Sequence, residues 1–170
     1  MAILTIIKAP DPILKKRCLP VSEVDDQIRS LMDDMLETMY DAPGIGLAAP
    51  QVSVHKRVIV VDVSDPNVER APVQLANPEI IQRSDELVKF DEGCLSFPGQ
   101  YAEVERPSRT CIRYLDYNNE TKEIDAQGLL STCIQHEMDH LDGKLFVDRI
   151  SVLKRNIILR KMKKLKKAGR

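Results

Sequence analysis

The chain has 170 residues, 43% of them apolar and 30% charged, the make-up of one globular domain that buries a core without disulfide or metal staples. No apolar run approaches the roughly 18 residues needed to span a bilayer, so a transmembrane helix is excluded. Charge is nearly balanced, 25 basic against 26 acidic side chains, but nine Lys/Arg and no Asp/Glu follow Ser151; that leaves 16 of the 25 basic groups against all 26 acidic ones before it, a formal −10, and an acidic body with a basic tail.

The opening stretch, MAILTIIKAPDPILKK, lacks a basic n-region followed by a long apolar segment, and is expected to be structured mature protein in a reducing cytoplasm. Cys18, Cys94, Cys111 and Cys133 form no CxxC pair, so disulfides are not expected; each thiol is a core residue, a metal ligand or a nucleophile. From about Asp25 to Tyr40, Ile28, Leu31, Met32, Met35, Leu36 and Met39 follow a helical stripe that Pro43 and Gly44 end. This methionine stripe reads as plain core.

The period then changes. Val58–Val61 lies in a β-branched run suited to a buried strand, and short strands are expected around Val73–Leu75, Ile80–Arg83 and Glu86–Phe90. Thr110–Tyr117 is a further strand, with Asn118-Asn119 turning the chain into Thr121–Ile124. A helix is expected over about Ala126–Leu141, apolar over most of its surface and therefore central and buried. A last helix, about Ser151–Lys167, sets Leu153, Ile157, Ile158, Met162 and Leu165 against Lys and Arg. Strands between helices without regular βαβ alternation predict an α+β fold: mostly antiparallel sheets around a central helix, and a C-terminal amphipathic helix. No repeat or linker divides the chain, so residues 1–150 are read as a single domain, with a basic helix over 151–170 packed on it.

The central helix carries QHEMDH, residues 135–140. The four-residue spacing stacks His136 and His140 on one face, where both imidazoles can hold one metal ion, while Glu137 stands beside the water to be deprotonated. A catalytic metal takes a third protein ligand and keeps one position for water. Cys133 is on the same face but too far away. It lies about 10 Å from His140 along the axis, and an ion between the histidines sits roughly 6 Å from its backbone; a cysteine with a metal–sulfur bond of about 2.3 Å does not span that. No histidine or glutamate follows the motif, so the usual metalloprotease completion is missing. Cys94, in the Gly- and Pro-punctuated stretch EGCLSFPGQ, is the best candidate, expected on a loop beside the helix; Cys18 and Cys111 remain open.

Three stretches, GIGLAAPQ at 44–51, EGCLS at 92–96 and QHEMDHLDG at 135–143, together resemble the three motifs of the peptide deformylases, in the same order and with matching spacings across essentially the whole chain. The resemblance implies a metal-dependent amide hydrolase that removes the N-formyl group from the N-terminal formylmethionine of nascent polypeptides and releases formate. It implies Cys94, His136 and His140 as ligands of one divalent ion, Fe²⁺ physiologically, with Zn²⁺, Ni²⁺ or Co²⁺ able to substitute. Residues 1–150 then become a catalytic domain.

The resemblance also assigns roles to single residues. Glu137 takes the water's proton and later delivers it to the leaving amine. The Gln51 amide and the Leu95 backbone N–H hold the developing oxyanion. The Ile45–Gly46 and Gly93 backbones pair with an extended substrate, Gly46 letting the peptide come close. Ile45, Leu129, Thr132, Cys133 and His136 line a methionine pocket. Thr132 stands where an aliphatic residue is common, which should alter pocket shape slightly. Tyr101 stands where an arginine is common, which should alter preference beyond the methionine. Asp139 needs a cationic partner beneath the metal, and Arg106 is the expected one.

The basic terminal helix reads either as a solvated amphipathic face or as a docking element for the ribosome near the exit tunnel. A membrane-surface helix is disfavoured because its apolar side lacks Trp and Phe. Truncation before about Leu153 should then spare activity on short peptides. Against the hydrolase stand a general zinc endopeptidase, which the missing downstream ligand disfavours, and a structural-metal RNA-binding module, which requires a closed four-ligand site. An inactive relative is the remaining alternative, but every catalytic position is intact.

Overall fold

The computed structural model describes residues 2–169. Helix α1 (Asp26–Asp41) starts where Asp25, in extended conformation, accepts a hydrogen bond from the Ile28 N–H at 2.9 Å. Strands β1 (Gly46–Ala48), β2 (Val58–Val61), β3 (Val73–Arg83), β6 (Arg109–Leu115) and β7 (Thr121–Gln127) form one antiparallel sheet in the order β1-β2-β3-β6-β7. Strands β4 (Leu87–Cys94) and β5 (Phe97–Pro107) form a separate hairpin sheet. Helices α2 (Gly128–Leu141) and α3 (Val152–Lys167) close the chain. The fold is α+β with antiparallel sheets, as the pattern of elements required.

The apolar run of β2 has a direct explanation in the layers around it. Val58 and Val60 face α1, packing with Met32, Met35 and Met39, while Ile59 and Val61 face the opposite layer with Ile134 and Leu141 of α2. A strand covered on both faces needs apolar residues at every position rather than alternate ones. Helix α2 is accordingly buried over ten of its 14 residues. A third apolar cluster joins Phe97 and Val104 of β5 to Phe146, Ile158 and Met162.

Five expectations need correction. The short segments around 73–75 and 80–83 are parts of one 11-residue strand, β3, whose register shifts beside Asn77, a residue at positive φ. Strand β5 was not expected at all, because Pro98 and Gly99 interrupt its pattern; both lie in a bulge that sets Gly93 against Tyr101 but Cys94 against Phe97. Cys94 is therefore the last residue of a strand entering a tight hairpin, not part of a loop. On α3, Leu153 and Ile157 are 73% and 42% exposed while Ile158 and Met162 are buried. Leu153 precedes Ile158 by five residues, roughly 140° around the helix, and so cannot share its face.

Helix α2 begins at Gly128, two residues later than expected. Gly128 has φ +57°, and this left-handed conformation turns the chain from β7 directly into the helix.

Candidate active site

Strand β4 delivers Cys94 to the buried face of α2. The His136 and His140 rings lie one helical turn apart, centroids 5.3 Å apart, and His140 Nε2 stands 3.4 Å from Cys94 Sγ. One ligand atom from each of Cys94, His136 and His140 falls within 4.8 Å of the other two. Tetrahedral bonds of about 2.1 Å to nitrogen and 2.3 Å to sulfur put donors roughly 3.5 Å apart, so this set accepts an ion with small shifts. Among the described residues no fourth side chain joins the group, which leaves a position for water and disagrees with a closed structural site. Cys18 is instead a core thiol, pushed up to about 11 by burial, and His55 holds the Ile13 carbonyl at 3.3 Å.

One of the two imidazoles, His136, is fixed from behind. His136 donates from Nδ1 to Glu92 at 2.9 Å, which turns Nε2 to the Cys94 side. Glu92 also receives both arms of Arg106, at 2.7 and 2.9 Å, and Arg106 reaches on to Asp139 at 2.9 Å. The expected Asp139–Arg106 pair is thus present, but as part of a four-membered chain. Arg149 closes it with two hydrogen bonds to Asp139, at 2.6 and 2.7 Å. Burial pushes the Glu92 and Asp139 carboxyls up, but the arginines, helped at Glu92 by His136, outweigh it and hold both below the ordinary carboxylate range. Two carboxylates and two guanidiniums make this network charge-balanced, which is what permits the burial of Glu92, Arg106 and Asp139, while Arg149 stays exposed.

Glu137 differs. It is buried, Oε2 has no hydrogen-bond partner among the described residues, and Oε1 lies 3.8 Å from His136 Nε2. Burial raises its carboxyl to about 7. The same burial, with His136 alongside, lowers His140 to about 3, and its Nδ1 has no partner among the described residues. Gln51 is held from two sides: Oε1 accepts from the Ala48 N–H at 2.9 Å, and Nε2 donates to Ser96 Oγ at 2.9 Å and faces Cys94 Sγ at 3.5 Å. The Leu95 N–H finds no acceptor among the described residues.

A cleft of about 910 Å³ opens in front of this group. Ile45, Gly46, Gly93, Leu129, Thr132, Cys133 and Tyr101 all line it, as do Cys94, Leu95, His136 and Glu137. Gln51, His140, Asp139 and Arg106 stand behind its wall. Two expectations change in detail. The Ile45 carbonyl is already engaged, accepting from the Asp62 N–H at 2.8 Å and facing the Cys133 thiol, so only its N–H remains for a peptide. Nor does Gly46 turn its bare face to the cleft alone: a Cβ there would stand 2.9 Å from both Cys133 Sγ and Glu137 Oε1. Its missing side chain makes room for α2. At Gly93 the Tyr101 ring occupies the corresponding space, where a Cβ would meet a ring carbon at 2.5 Å.

Glu92, Ser96 and Arg149 are functional neighbours that motif reasoning passed over. Glu92 and Ser96 flank Cys94 within EGCLS and could have been found there as the only polar side chains beside the thiol. Arg149 carries no local signal, because its role depends on the 3₁₀ turn Phe146–Arg149 folding back under α2. The N-terminal segment also reaches the cleft: Ser96 Oγ donates to the Ile7 carbonyl at 2.7 Å, and Ile3 through Ile6 help form one wall.

A sequence model of the family described as polypeptide deformylase matches residues 3–156. The peptide deformylase of Cellvibrio japonicus is 56% identical over 169 residues, covering 99% of both chains. That of Phenylobacterium zucineum is 55% identical, covering 99% of this chain and all of its own. Among solved structures, peptide deformylase from Ehrlichia chaffeensis superposes with a TM-score of 0.94 at 41% identity over 99% of both chains. The same organism's enzyme in complex with actinonin matches with a TM-score of 0.92 at 45% identity, covering 96% of this chain and 98% of its own.

Proposed function

This chain belongs to the polypeptide deformylase family, a hydrolase removing the formyl group from nascent peptides, and on that premise we propose how its residues perform the reaction. The observation that carries the reading is a three-donor group with one buried carboxylate, Glu137, beside it and lacking a partner at Oε2 among the described residues. The family implies a single catalytic metal. Cys94, His136 and His140 would hold it, and when bound it supplies Lewis-acid activation of the attacking water.

The remaining work belongs to the protein. Glu137 accepts a proton from the water as its oxygen attacks the formyl carbon, and returns it to the methionine nitrogen as the C–N bond breaks; formate and a free amine result. A carboxyl raised to about 7 both takes and gives a proton near neutral pH. The Leu95 N–H and the Gln51 amide face the charge growing on the formyl oxygen, Gln51 exchanging its weak contact with Cys94 Sγ for a stronger one. Ile45, Leu129, Thr132 and Cys133 surround the methionine side chain with His136 at the base. The Ile45 N–H and the backbone at Gly46 and Gly93 receive the extended chain, and Tyr101 packs against it.

Fe²⁺ is the proposed ion, with Zn²⁺, Ni²⁺ or Co²⁺ able to replace it. Support comes from the donor set, a thiolate with two imidazoles, which suits all of these borderline ions. Formate release from a formyl-Met tripeptide, measured with protein loaded anaerobically with Fe²⁺ and in parallel with Zn²⁺, tests both reaction and ion. Strong turnover with iron supports the reading; equal or greater turnover with zinc rejects the ion, and none with either rejects the reaction.

A division into a catalytic domain, 1–150, and a packed basic helix, 151–170, is proposed on the same footing; residues 1 and 170 lie outside the described ones. The exposed basic side chains of α3 support docking to ribosomal RNA. Co-sedimentation with ribosomes should fall when Arg160 and Lys163 are changed to Glu, and unchanged sedimentation excludes it. No described helix is long and apolar enough to cross a membrane. A cytoplasmic location follows from the proposed substrate, chains emerging from ribosomes.

A further inference from the structure

The substrate cleft does not end at Tyr101. A second groove of about 430 Å³ lies between the β5 bulge and α3, and Gly99 and Tyr101 line both it and the cleft. One wall, Gly99–Ala102, is uncharged. The other is a single stripe of α3, Lys154, Ile157, Ile158 and Lys161, at the i, i+3, i+4, i+7 spacing that puts side chains on one helical face.

Three features define what this groove can hold. Its floor is apolar and includes Ile157, which is otherwise an exposed apolar side chain with no packing reason to be there. Its two ends carry Lys154 and Lys161, both unpaired among the described residues; the ion pair near that end of α3 joins Arg155 to Asp148 instead. The lysines are seven residues apart, roughly 10.5 Å along the helix, which is the length of about three extended residues.

We propose that this groove is an extension of the substrate cleft that receives the residues following the third position of the formylated chain, and that Lys154 and Lys161 make it prefer acidic side chains there. The inference rests on the deformylase reading of the cleft. A peptide leaving the cleft over Gly99 meets the groove without crossing a bulky side chain. Its apolar groups lie on Ile157 and its carboxylates reach the ammonium groups at either end. A phosphate backbone matches the lysines but not the apolar floor, so a peptide is the better occupant.

The test uses full-length, metal-loaded protein with three substrates: formyl-Met-Ala-Ser, and hexapeptides extending it with Glu-Ala-Glu or Lys-Ala-Lys. The Glu hexapeptide should show kcat/KM about five-fold above the Lys one at low salt, the size expected of two exposed ion pairs, converging at high salt. K154E/K161E should reverse the preference while leaving the tripeptide unchanged, and R160E/K163E, an equal charge change on α3 away from the groove, should retain it. Equal rates for the two hexapeptides, or a preference that survives K154E/K161E, overturns the proposal. If K154E/K161E weakens only binding to ribosomal RNA, the groove serves nucleic acid and the proposal fails. No formate from the tripeptide is a different outcome: it removes the functional reading on which the proposal stands.

Discussion

Gly46 and Glu137 occupy one space: a Cβ on Gly46 would stand 2.9 Å from Glu137 Oε1 and 3.0 Å from its Cγ. The edge strand β1 therefore sets the position of the carboxylate on α2. Gly46→Ala should displace the carboxylate by several tenths of an ångström or more and lower kcat by about 10- to 100-fold, the sensitivity expected of a reacting group moved out of line. Metal content should stay unchanged. A variant with undiminished kcat would show that Glu137 tolerates displacement and is not positioned by β1.

The chain Glu92–Arg106–Asp139–Arg149, buried up to the exposed Arg149, makes two predictions of different kinds. Glu92→Gln keeps the shape but weakens the grip on His136 Nδ1, and should cut metal affinity by about 10- to 100-fold, read by competition with a chelator. Arg106→Leu removes the guanidinium shared by two buried carboxylates, leaving Glu92 only His136 and Asp139 only Arg149, and should cost about 3–5 kcal/mol in urea unfolding. A loss below about 1 kcal/mol would mean that solvent or Arg149 compensates for the missing guanidinium.

Asp62 should couple stability to acid. It is buried and accepts from the Ser64 hydroxyl and N–H, the Tyr40 hydroxyl and the Ala71 N–H. Burial pushes its carboxyl up, but these hydrogen bonds outweigh it and leave it below the ordinary range. A carboxyl depressed by folding stabilises fully above the unfolded value of about 3.9 and loses that contribution as pH falls through the folded one. Asp62→Asn should therefore be less stable than the parent at pH 7, with a deficit that narrows below about pH 4. A deficit independent of pH would assign the effect to packing.

Removing α3 is not the mild truncation its amphipathic pattern suggests. Ile158 and Met162 are buried with Phe97 and Phe146, each contributing about 1.5–3 kcal/mol by burial. Truncation before Leu153 should lower the melting temperature markedly and impair activity even on short peptides, whereas R160E/K163E should leave stability nearly unchanged. Full activity and unaltered melting after truncation would contradict the packing role.

Much of the site was readable because its chemistry sits in short contiguous motifs. Helical spacing alone stacks His136 on His140 and rules out Cys133 as a ligand, and a third donor had to come from elsewhere. Nothing local could show that Cys94 ends a strand, since β5 hides behind Pro98 and Gly99 and its pairing is set by a bulge. Arg149 and the Ile7–Ser96 link were invisible for a related reason: each joins parts of the chain far apart in sequence, and composition carries no record of which turn folds under which helix. On α3 the 100° per residue accumulates, so that Leu153 lies on another side from Ile158 and Met162 although the apolar pattern groups them.

The proposed roles, Glu137 moving the proton while Cys94, His136 and His140 hold the ion, can be separated in one variant. Glu137→Gln tests them most directly, with bound metal and formate release from formyl-Met-Ala-Ser measured on the same sample. One ion per chain is expected, as in the parent, with formate release lowered by about 10³-fold or more, beyond what loss of binding alone produces. Metal retained together with substantial turnover would contradict those roles, because some other group would then be carrying the proton.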